Sequence, residues 1–185
     1  MAKTINFCGD SFCAEVQPTA WTYILADLLD YTILGRGKAG SAHEHAIQSF
    51  DETADFTVFC WTEPDRLYHP TLPINFAQAN AQAKSDRIYR AAKIYYDYLH
   101  DFDHSIVRQM RELYWFDQEV LSLYSGKIFH CWSFMETYQF THGTTFNTPL
   151  FDLRSVDASS TNHMTVEQNY TLAHEIYNLI RRTYG

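Results

Sequence analysis

Residues 4–12 read TINFCGDSF, in which a short apolar run ends at a glycine, an aspartate and a serine. The run from Thr4 to Cys8 predicts a buried β-strand, and the triplet at 9–11 predicts a tight turn after it. A serine in that position presents its hydroxyl at the carboxyl edge of a sheet. Because ligands of open α/β sheets bind beyond the carboxyl ends of the strands, the sequence predicts a functional site at Ser11.

The rest of the chain alternates strand-like and helix-like segments. Apolar runs predict further strands over residues 31–34, 56–61 and 127–132. Apolar residues at helical spacing predict helices over residues 19–29, 42–50, 85–100 and 104–124. A last helix begins near Thr165, where Thr165 and Gln168 fit a capping box, while residues 62–83 and 133–162 predict long loops. This order predicts an α/β fold with a mainly parallel sheet, formed as a single domain over residues 1–185.

The composition limits the class of protein. The chain has 185 residues, of which 46% are hydrophobic and 16% aromatic, and its formal net charge is −8. The apolar fraction excludes a disordered chain, and the acidic balance argues against non-specific nucleic-acid binding, which needs a basic face. No apolar run approaches the ~18–20 residues of a membrane span, and the first residues lack the features of a signal peptide. We therefore expect a cytoplasmic protein with no nucleic-acid or membrane partner, whose oligomeric state stays open.

The cysteines are expected to be structural. Cys8, Cys60 and Cys131 each lie inside an apolar, strand-like run, Cys13 follows the first of these runs, and the sequence has no CxxC pair. Buried cysteine behaves as a small hydrophobic residue, and disulfides need an oxidising compartment for which there is no targeting signal. The sequence therefore predicts reduced thiols in the core.

Residues at the predicted strand ends indicate acyl transfer. A serine hydroxyl is a weak nucleophile and needs a base within hydrogen-bond reach. His163 is the candidate base, because it stands directly before the capped last helix, which would hold it in place. The developing oxyanion needs donors as well, and the backbone N–H groups of Ser11 and Gly40 are the candidates, since glycine allows a close approach of the backbone.

Four segments, in order along the chain, resemble the sequence blocks of the SGNH, or GDSL-like, hydrolases. They are INFCGDSFCAE (5–15), GRGKAGS (35–41), TVFCWTEPDR (57–66) and NHMTVEQNYTLAHEI (162–176). The resemblance implies a three-layer αβα sandwich of the flavodoxin-like type and ester hydrolysis with no metal and no cofactor. It implies that Ser11 is the nucleophile, His163 the base and Gly40 the second oxyanion donor, and that Asp10 shapes the nucleophile turn. The small size and the altered third block resemble family members from bacteriophages.

Two positions depart from the family pattern. The third block of the family supplies an asparagine amide as an oxyanion donor, whereas this chain has TEP at 62–64. An ionised Glu63 would oppose an oxyanion, but the hydroxyl of Thr62 is able to donate to one. The family's catalytic acid lies three residues before the histidine, and this position is Ser160 here. Asp157, six residues before, is the candidate third member, and the alternative is a Ser–His dyad oriented by another group.

Other residues have two interpretations each. Aromatic side chains at or after the strand ends would wall an acyl or carbohydrate pocket, or pack at the edge of the core; they are Trp61, Tyr68, Trp132 and Phe134. Arg66 would pair with an anionic group of the substrate or with an acidic neighbour. His43 and His45 form an HxH pair, but on a helix this spacing separates the two rings, so we predict no metal site.

These observations lead to two hypotheses. The first is a serine esterase that hydrolyses an O-acyl ester, such as an O-acetyl group on a carbohydrate, through an acyl-enzyme on Ser11. Transfer of the acyl group to an alcohol would use the same intermediate. The alternative is a non-catalytic module, glycan-binding or virion-associated, on the same scaffold. The distance from Ser11 to His163 separates them, because catalysis needs a separation of about 3 Å and one beyond about 5 Å would favour the module.

Overall fold

The computed structural model describes residues 2–155 and 163–185 and has the α/β architecture expected from the sequence. The strands are β1 (Lys3–Gly9), β2 (Tyr31–Gly35), β3 (Phe56–Trp61), β4 (Lys127–Trp132) and β5 (Thr144–Phe146). They form one sheet in the order β2-β1-β3-β4-β5, and every neighbouring pair is parallel. Parallel neighbours require crossover connections, and the helices of these connections cover the faces of the sheet.

Six α-helices lie within the described ranges: α1 (Trp21–Leu29), α2 (His43–Gln48), α3 (Phe76–Gln82), α4 (Arg87–Tyr98), α5 (Phe102–Trp115) and α6 (Val166–Tyr184). Two of them, α3 and α4, pack on each other around Ala79 and Tyr89. The helices α1 and α6 pack on one face, where Trp21 and Ile176 join the core around Phe7. The helices α2 and α5 pack on the other face, where Ala46 and Leu113 join the core around Phe59 and other aromatic residues. The fold is therefore a three-layer αβα sandwich.

Three central strands end together at one edge of the sheet. Gly9 of β1 pairs with Cys60 of β3, and Cys60 pairs in turn with Cys131 of β4. The segments that follow these strands therefore begin side by side at the carboxyl edge of the sheet. This edge is where the sequence predicts the functional site.

The predicted loops contain regular structure that the sequence pattern does not reveal. Residues 62–83 were expected to form a loop, yet they include α3, whose N-cap Asn75 accepts a hydrogen bond from Gln78 N. Residues 133–162 were expected to be irregular, yet β5 and a 3-10 turn at Leu150–Leu153 lie within them. All three elements are too short for a hydrophobic period to show.

The helix predicted over residues 104–124 is interrupted. Its regular part ends at Trp115 and continues as a π-helical turn, Phe116–Val120, and a 3-10 turn, Leu121–Leu123. Inside the π-helical turn lies Asp117, which is fully buried and accepts hydrogen bonds from the backbone N–H groups of Thr141 and His142 at 2.8 and 3.1 Å. The carboxylate thus holds the segment after β4 against this helix.

Two further expectations concern the cysteines and membranes. All four cysteines are buried and free, as predicted. Within the described ranges, no helix combines the length and the apolar character needed to cross a bilayer.

Candidate active site

The nucleophile turn is built by the residue before Ser11. Directly after β1, Asp10 caps a short 3-10 turn, Ser11–Cys13, and its Oδ1 accepts a hydrogen bond from Phe12 N at 3.0 Å. The same oxygen accepts a second bond, 2.9 Å long, from the hydroxyl of Ser133, the first residue after β4. Asp10 is fully buried. Its carboxylate therefore fixes the turn that presents Ser11 and ties it to the neighbouring strand end.

His163 lies next to Ser11 although the two residues are far apart in sequence. The distance from His163 Nε2 to Ser11 Oγ is 2.9 Å, and the contact is exposed to solvent. The ring also packs 5.0 Å from the ring of Phe12. His163 has φ of 64°, a left-handed conformation that costs roughly 1–2 kcal/mol for a residue other than glycine. Its carbonyl accepts a 2.8 Å hydrogen bond from Ser155 N, which helps to hold this conformation.

The helix after His163 begins as the sequence predicts. Thr165 is the N-cap of α6, and the capping box with Gln168 is complete in both directions. Met164, between His163 and the cap, is fully buried in the core. The position of His163 is therefore set by a capped helix on one side and a buried anchor beside it.

Two buried residues that the sequence analysis missed connect the nucleophile turn to the His163 loop. Trp21 Nε1 donates to the carbonyl of Phe12 at 2.6 Å, and Trp21 N donates to Asn169 Oδ1 at 2.9 Å. Asn169 Nδ2 then donates to the carbonyl of Met164 at 3.2 Å. Both side chains are fully buried. Polar atoms buried in this way are found where they are hydrogen-bonded, and here the bonds join the two halves of the site.

The glycine loop at 35–41 packs directly on the nucleophile turn. Gly37 N donates to the carbonyl of Cys13 at 3.1 Å, and Lys38 N donates to the carbonyl of Gly9 at 2.8 Å. A Cβ added at Gly37 would lie 2.6 Å from the carbonyl oxygen of Asp10. Glycine is therefore required at 37 for the approach of the two backbones.

Gly40 lies at the far end of this loop in a left-handed conformation, with φ of 72°. A Cβ at this position would lie 2.6 Å from the Cβ of Pro73. Among the described residues, neither the N–H of Gly40 nor that of Ser11 has a hydrogen-bond acceptor. Both amides are thus free to donate to a bound group, which is what backbone donors of an oxyanion hole must be.

The residues after β3 are partly enclosed. Thr62 is 2% exposed, its carbonyl accepts a 3.0 Å bond from Gln109 Nε2, and its buried Oγ1 has no hydrogen-bond partner among the described residues. Glu63 Oε2 accepts from Arg66 Nε at 3.2 Å, and burial raises the pKa of this carboxyl group although the Arg66 charge opposes the shift. Arg66 is 5% exposed, and its Nη1 lies 3.8 Å from Asp10 Oδ2. The third block therefore contributes a buried cation that contacts the nucleophile turn.

Two of the aromatic residues considered as pocket walls lie in the core. Trp61 and Trp132 are 0% and 2% exposed and pack in the core between the sheet and the α2/α5 layer. Of their two interpretations, these contacts support packing at the edge of the core, because the pleat of β3 and β4 turns both side chains towards the α2/α5 layer. Tyr68 is 38% exposed and donates to Gln48 Oε1, whereas Phe134 is half-buried and packs 5.7 Å from Phe12.

The proposed third member of the triad, Asp157, lies outside the described residues. The same holds for Ser160, the position of the family's acid. In the part of the chain that the structure describes, no residue accepts a hydrogen bond from His163 Nδ1. Asp157 therefore stays a prediction, and the described site is a Ser–His pair.

One group of potential metal ligands exists in the described ranges, and it does not include His45. The ligand atoms of His43, Glu44 and Glu112 lie within 4.8 Å of one another. His43 Nε2 is 2.7 Å from Glu112 Oε2, and Arg108 Nη1 is 3.9 Å from Glu44 Oε1. A hydrogen-bonded imidazole and an arginine therefore already compensate these carboxylates.

Comparisons with known proteins support the fold. No family model and no curated protein matches the sequence. Among solved structures, a "putative arylesterase" from Agrobacterium tumefaciens str. C58 is similar with a TM-score of 0.50 at 9% identity, over 97% of this chain and 99% of that one. A family two carbohydrate esterase from Clostridium thermocellum gives a TM-score of 0.43 at 12% identity, over 98% of this chain and 64% of that one. The comparison with the arylesterase structure thus supports the α/β fold, and the three-layer αβα architecture expected from the sequence is confirmed.

Proposed function

We propose that the protein is a serine esterase that hydrolyses an O-acyl ester, with Ser11 as nucleophile and His163 as base. The observation that carries this proposal is the 2.9 Å contact between Ser11 Oγ and His163 Nε2. This is the separation that proton transfer to a general base requires, and it is well inside the ~5 Å beyond which a binding module would be favoured.

The reaction would proceed in two steps. Ser11 Oγ attacks the acyl carbon while its proton passes to His163 Nε2, and the electron pair of the carbonyl moves to the acyl oxygen. Collapse of this oxyanion expels the alcohol, which takes the proton from His163 and leaves an acyl group on Ser11. Water then attacks the acyl-enzyme with His163 again as base, which releases the acid and restores the serine. The N–H groups of Ser11 and Gly40 are the proposed backbone donors to the oxyanion.

The exposure of the Ser11–His163 contact fits an ester whose reacting end approaches from solvent. An O-acetyl group on a carbohydrate is the substrate we would test first, because the acidic chain disfavours a polyanionic substrate. Asp157 is proposed to orient His163 through Nδ1; without such a group the site acts as a dyad.

The decisive experiment measures hydrolysis of p-nitrophenyl acetate by the wild type, Ser11→Ala and His163→Ala. Loss of either member of such a pair is expected to lower kcat by at least 10³-fold. Ser85→Ala is the matched control, because the Ser85 side chain is exposed and its hydroxyl donates to the nearby carbonyl of Gln82. A fluorophosphonate probe should label the wild type and spare Ser11→Ala.

The proposal fails if the folded wild type shows neither Ser11-dependent turnover of short acyl esters nor a covalent adduct with the probe. The non-catalytic module would then be the better hypothesis. If turnover depends on Ser11, analysis of the products in the presence of an added alcohol separates hydrolysis from acyl transfer.

A further inference from the structure

The guanidinium of Arg66 lies between the nucleophile turn and the glycine loop. Its Nη1 is 3.8 Å from Oδ2 of Asp10, the residue before Ser11. The same nitrogen donates at 3.4 Å to the carbonyl of Ser41, the residue after Gly40. Arg66 therefore contacts the two segments whose backbone N–H groups are the proposed oxyanion donors.

The segment that carries Arg66 is held rigidly. Arg108 Nη2 donates to the carbonyls of Pro64 and Arg66 at 3.2 and 3.3 Å. The carbonyl of Asp65, between them, accepts a 2.9 Å bond from the hydroxyl of Tyr96. Because these three consecutive carbonyls are bonded to α4 and α5, the side chain of Arg66 starts from a fixed backbone, as a preorganised electrostatic group requires.

The guanidinium itself is oriented by two neighbours. Arg66 Nε donates to Glu63 Oε2 at 3.2 Å, and the plane lies over the ring of Phe134 with 5.0 Å between Arg66 Cζ and the ring centroid. Nε and Nη1 thus have acceptors, whereas Nη2 has none among the described residues. One nitrogen of a permanently charged group is therefore left to donate to a ligand.

Negatively charged groups near Ser11 create a need for a nearby cation. Asp10 is fully buried, and within residues 2–155 and 163–185 no group donates a hydrogen bond to its Oδ2. A buried carboxylate next to the nucleophile would oppose negative charge on the acyl oxygen, and Glu63 adds a second carboxylate nearby. Thr62 Oγ1 is enclosed and is a neutral donor at best. In the segment after β3, Arg66 is the cation that weakens this repulsion, since its guanidinium lies beside both Asp10 and Glu63.

We propose that Arg66 supplies the side-chain donor of the oxyanion hole, with Nη2 donating to the acyl oxygen as negative charge develops on it. This inference rests on the esterase function proposed above. It makes Arg66 a catalytic residue that acts on the transition state, so its loss lowers kcat more than it changes KM.

The test compares Arg66→Gln and Arg66→Lys with the wild type on p-nitrophenyl acetate. Active sites are counted by titration to completion with a fluorophosphonate, so that kcat is expressed per competent site. We expect Arg66→Gln to lower kcat per site by about 10²-fold with KM within about threefold. Affinity for phenylboronic acid, which forms an anionic tetrahedral adduct with serine, should fall in parallel. Arg90→Gln is the matched control, because Arg90 bonds to the carbonyl of Ala83 away from the site.

Arg66→Lys keeps the proposal testable if Arg66→Gln does not fold, because an ammonium group still compensates Asp10. We expect it to fold and to lose at least 10-fold in kcat, since it lacks the fork that reaches Glu63, Ser41 and a ligand together. The inference would be overturned if the Arg66 variants had the same kcat per titrated site as the wild type, or if only the number of competent sites fell. Either result would leave the esterase proposal intact. A wild type without Ser11-dependent turnover would overturn both.

Discussion

Asn169→Ala tests whether buried hydrogen bonds hold the two halves of the site together. Asn169 Oδ1 accepts the N–H of Trp21, and its Nδ2 donates to the carbonyls of Met164 and Thr165 at 3.2 and 3.0 Å. Trp21 is the first residue of α1, so its N–H has no partner within the helix. The substitution removes all three bonds and leaves this buried N–H without an acceptor.

The expected loss of stability follows from these contacts. Each lost hydrogen bond is worth about 1 kcal/mol net, and an unsatisfied buried N–H costs about 1–3 kcal/mol. We therefore expect the free energy of unfolding to fall by about 4 kcal/mol. For a chain of this size, where 1 kcal/mol shifts Tm by roughly 2–4 °C, Tm should drop by about 10 °C.

Urea unfolding and calorimetry measure the stability, and the rate of p-nitrophenyl acetate hydrolysis well below Tm measures the catalytic activity of the site. We expect kcat to fall at least 10-fold, because Met164 is adjacent to His163 and a displacement of about 1 Å at a catalytic group is costly. Asn178→Ala is the matched control, since Asn178 is an exposed residue of the same helix. A stability loss below about 1 kcal/mol would refute the energetic argument. Normal kcat in a destabilised variant would refute the positional one.

Three other substitutions test separate parts of the structure. Gly40→Ala should lower kcat at least 10-fold, measured per titrated active site, because φ of 72° and the 2.6 Å approach to Pro73 force the loop to move. Gln109→Leu should cost about 2 kcal/mol in urea unfolding, because the buried carbonyl of Thr62 loses its 3.0 Å donor. Burial lowers the pKa of His130 from 6.5 to about 4. Below pH 6.5 His130 is protonated in the unfolded chain, whereas in the folded protein it stays neutral until about pH 4. The free energy of unfolding therefore falls by up to about 3 kcal/mol as the pH is lowered from 6.5 to 4. In His130→Asn this part of the pH dependence should be absent.

The strands were predictable because a strand buried on both faces of a sheet is a continuous apolar run in the sequence. The apolar run at 56–61 coincides with β3, every residue of which is buried. The position of His163 was predictable for a related reason, because a capping box at Thr165 fixes where a helix begins. Features of this kind depend on neighbours in sequence, and a single sequence reports them well.

The contacts that position the site depend on residues distant in sequence. Trp21 and Asn169 are 148 positions apart, and each alone has the ordinary appearance of a helix residue. Ser133, by contrast, directly follows a predicted strand, so the strand-end argument that selected Ser11 also points to it. The sequence leaves two interpretations open for Trp61 and Trp132 for another reason. Being last in a strand does not decide which face a side chain joins, because successive residues alternate between faces.

The two helical layers support different parts of the proposed mechanism. The Ser11–His163 pair is held from the α1/α6 layer through Trp21 and Asn169. The backbone that carries Arg66 is held from the opposite side of the sheet, by Arg108 of α5. Because these contacts share no partner, the losses of activation free energy in Asn169→Ala and Arg66→Lys should add within about 0.5 kcal/mol in the double variant.

A coupling of about 1 kcal/mol or more between these substitutions would mean that the two layers act through a common residue. Asp10 would be that residue. Its Oδ1 bonds to the nucleophile turn and to Ser133, while its Oδ2 is the atom near Arg66. Loss of Arg66 would then shift the Asp10 carboxylate and with it Ser11. Additivity therefore separates a guanidinium that acts on the acyl oxygen from one that only steadies the turn. The measurement is kcat/KM per titrated site for the wild type, both single variants and the double variant.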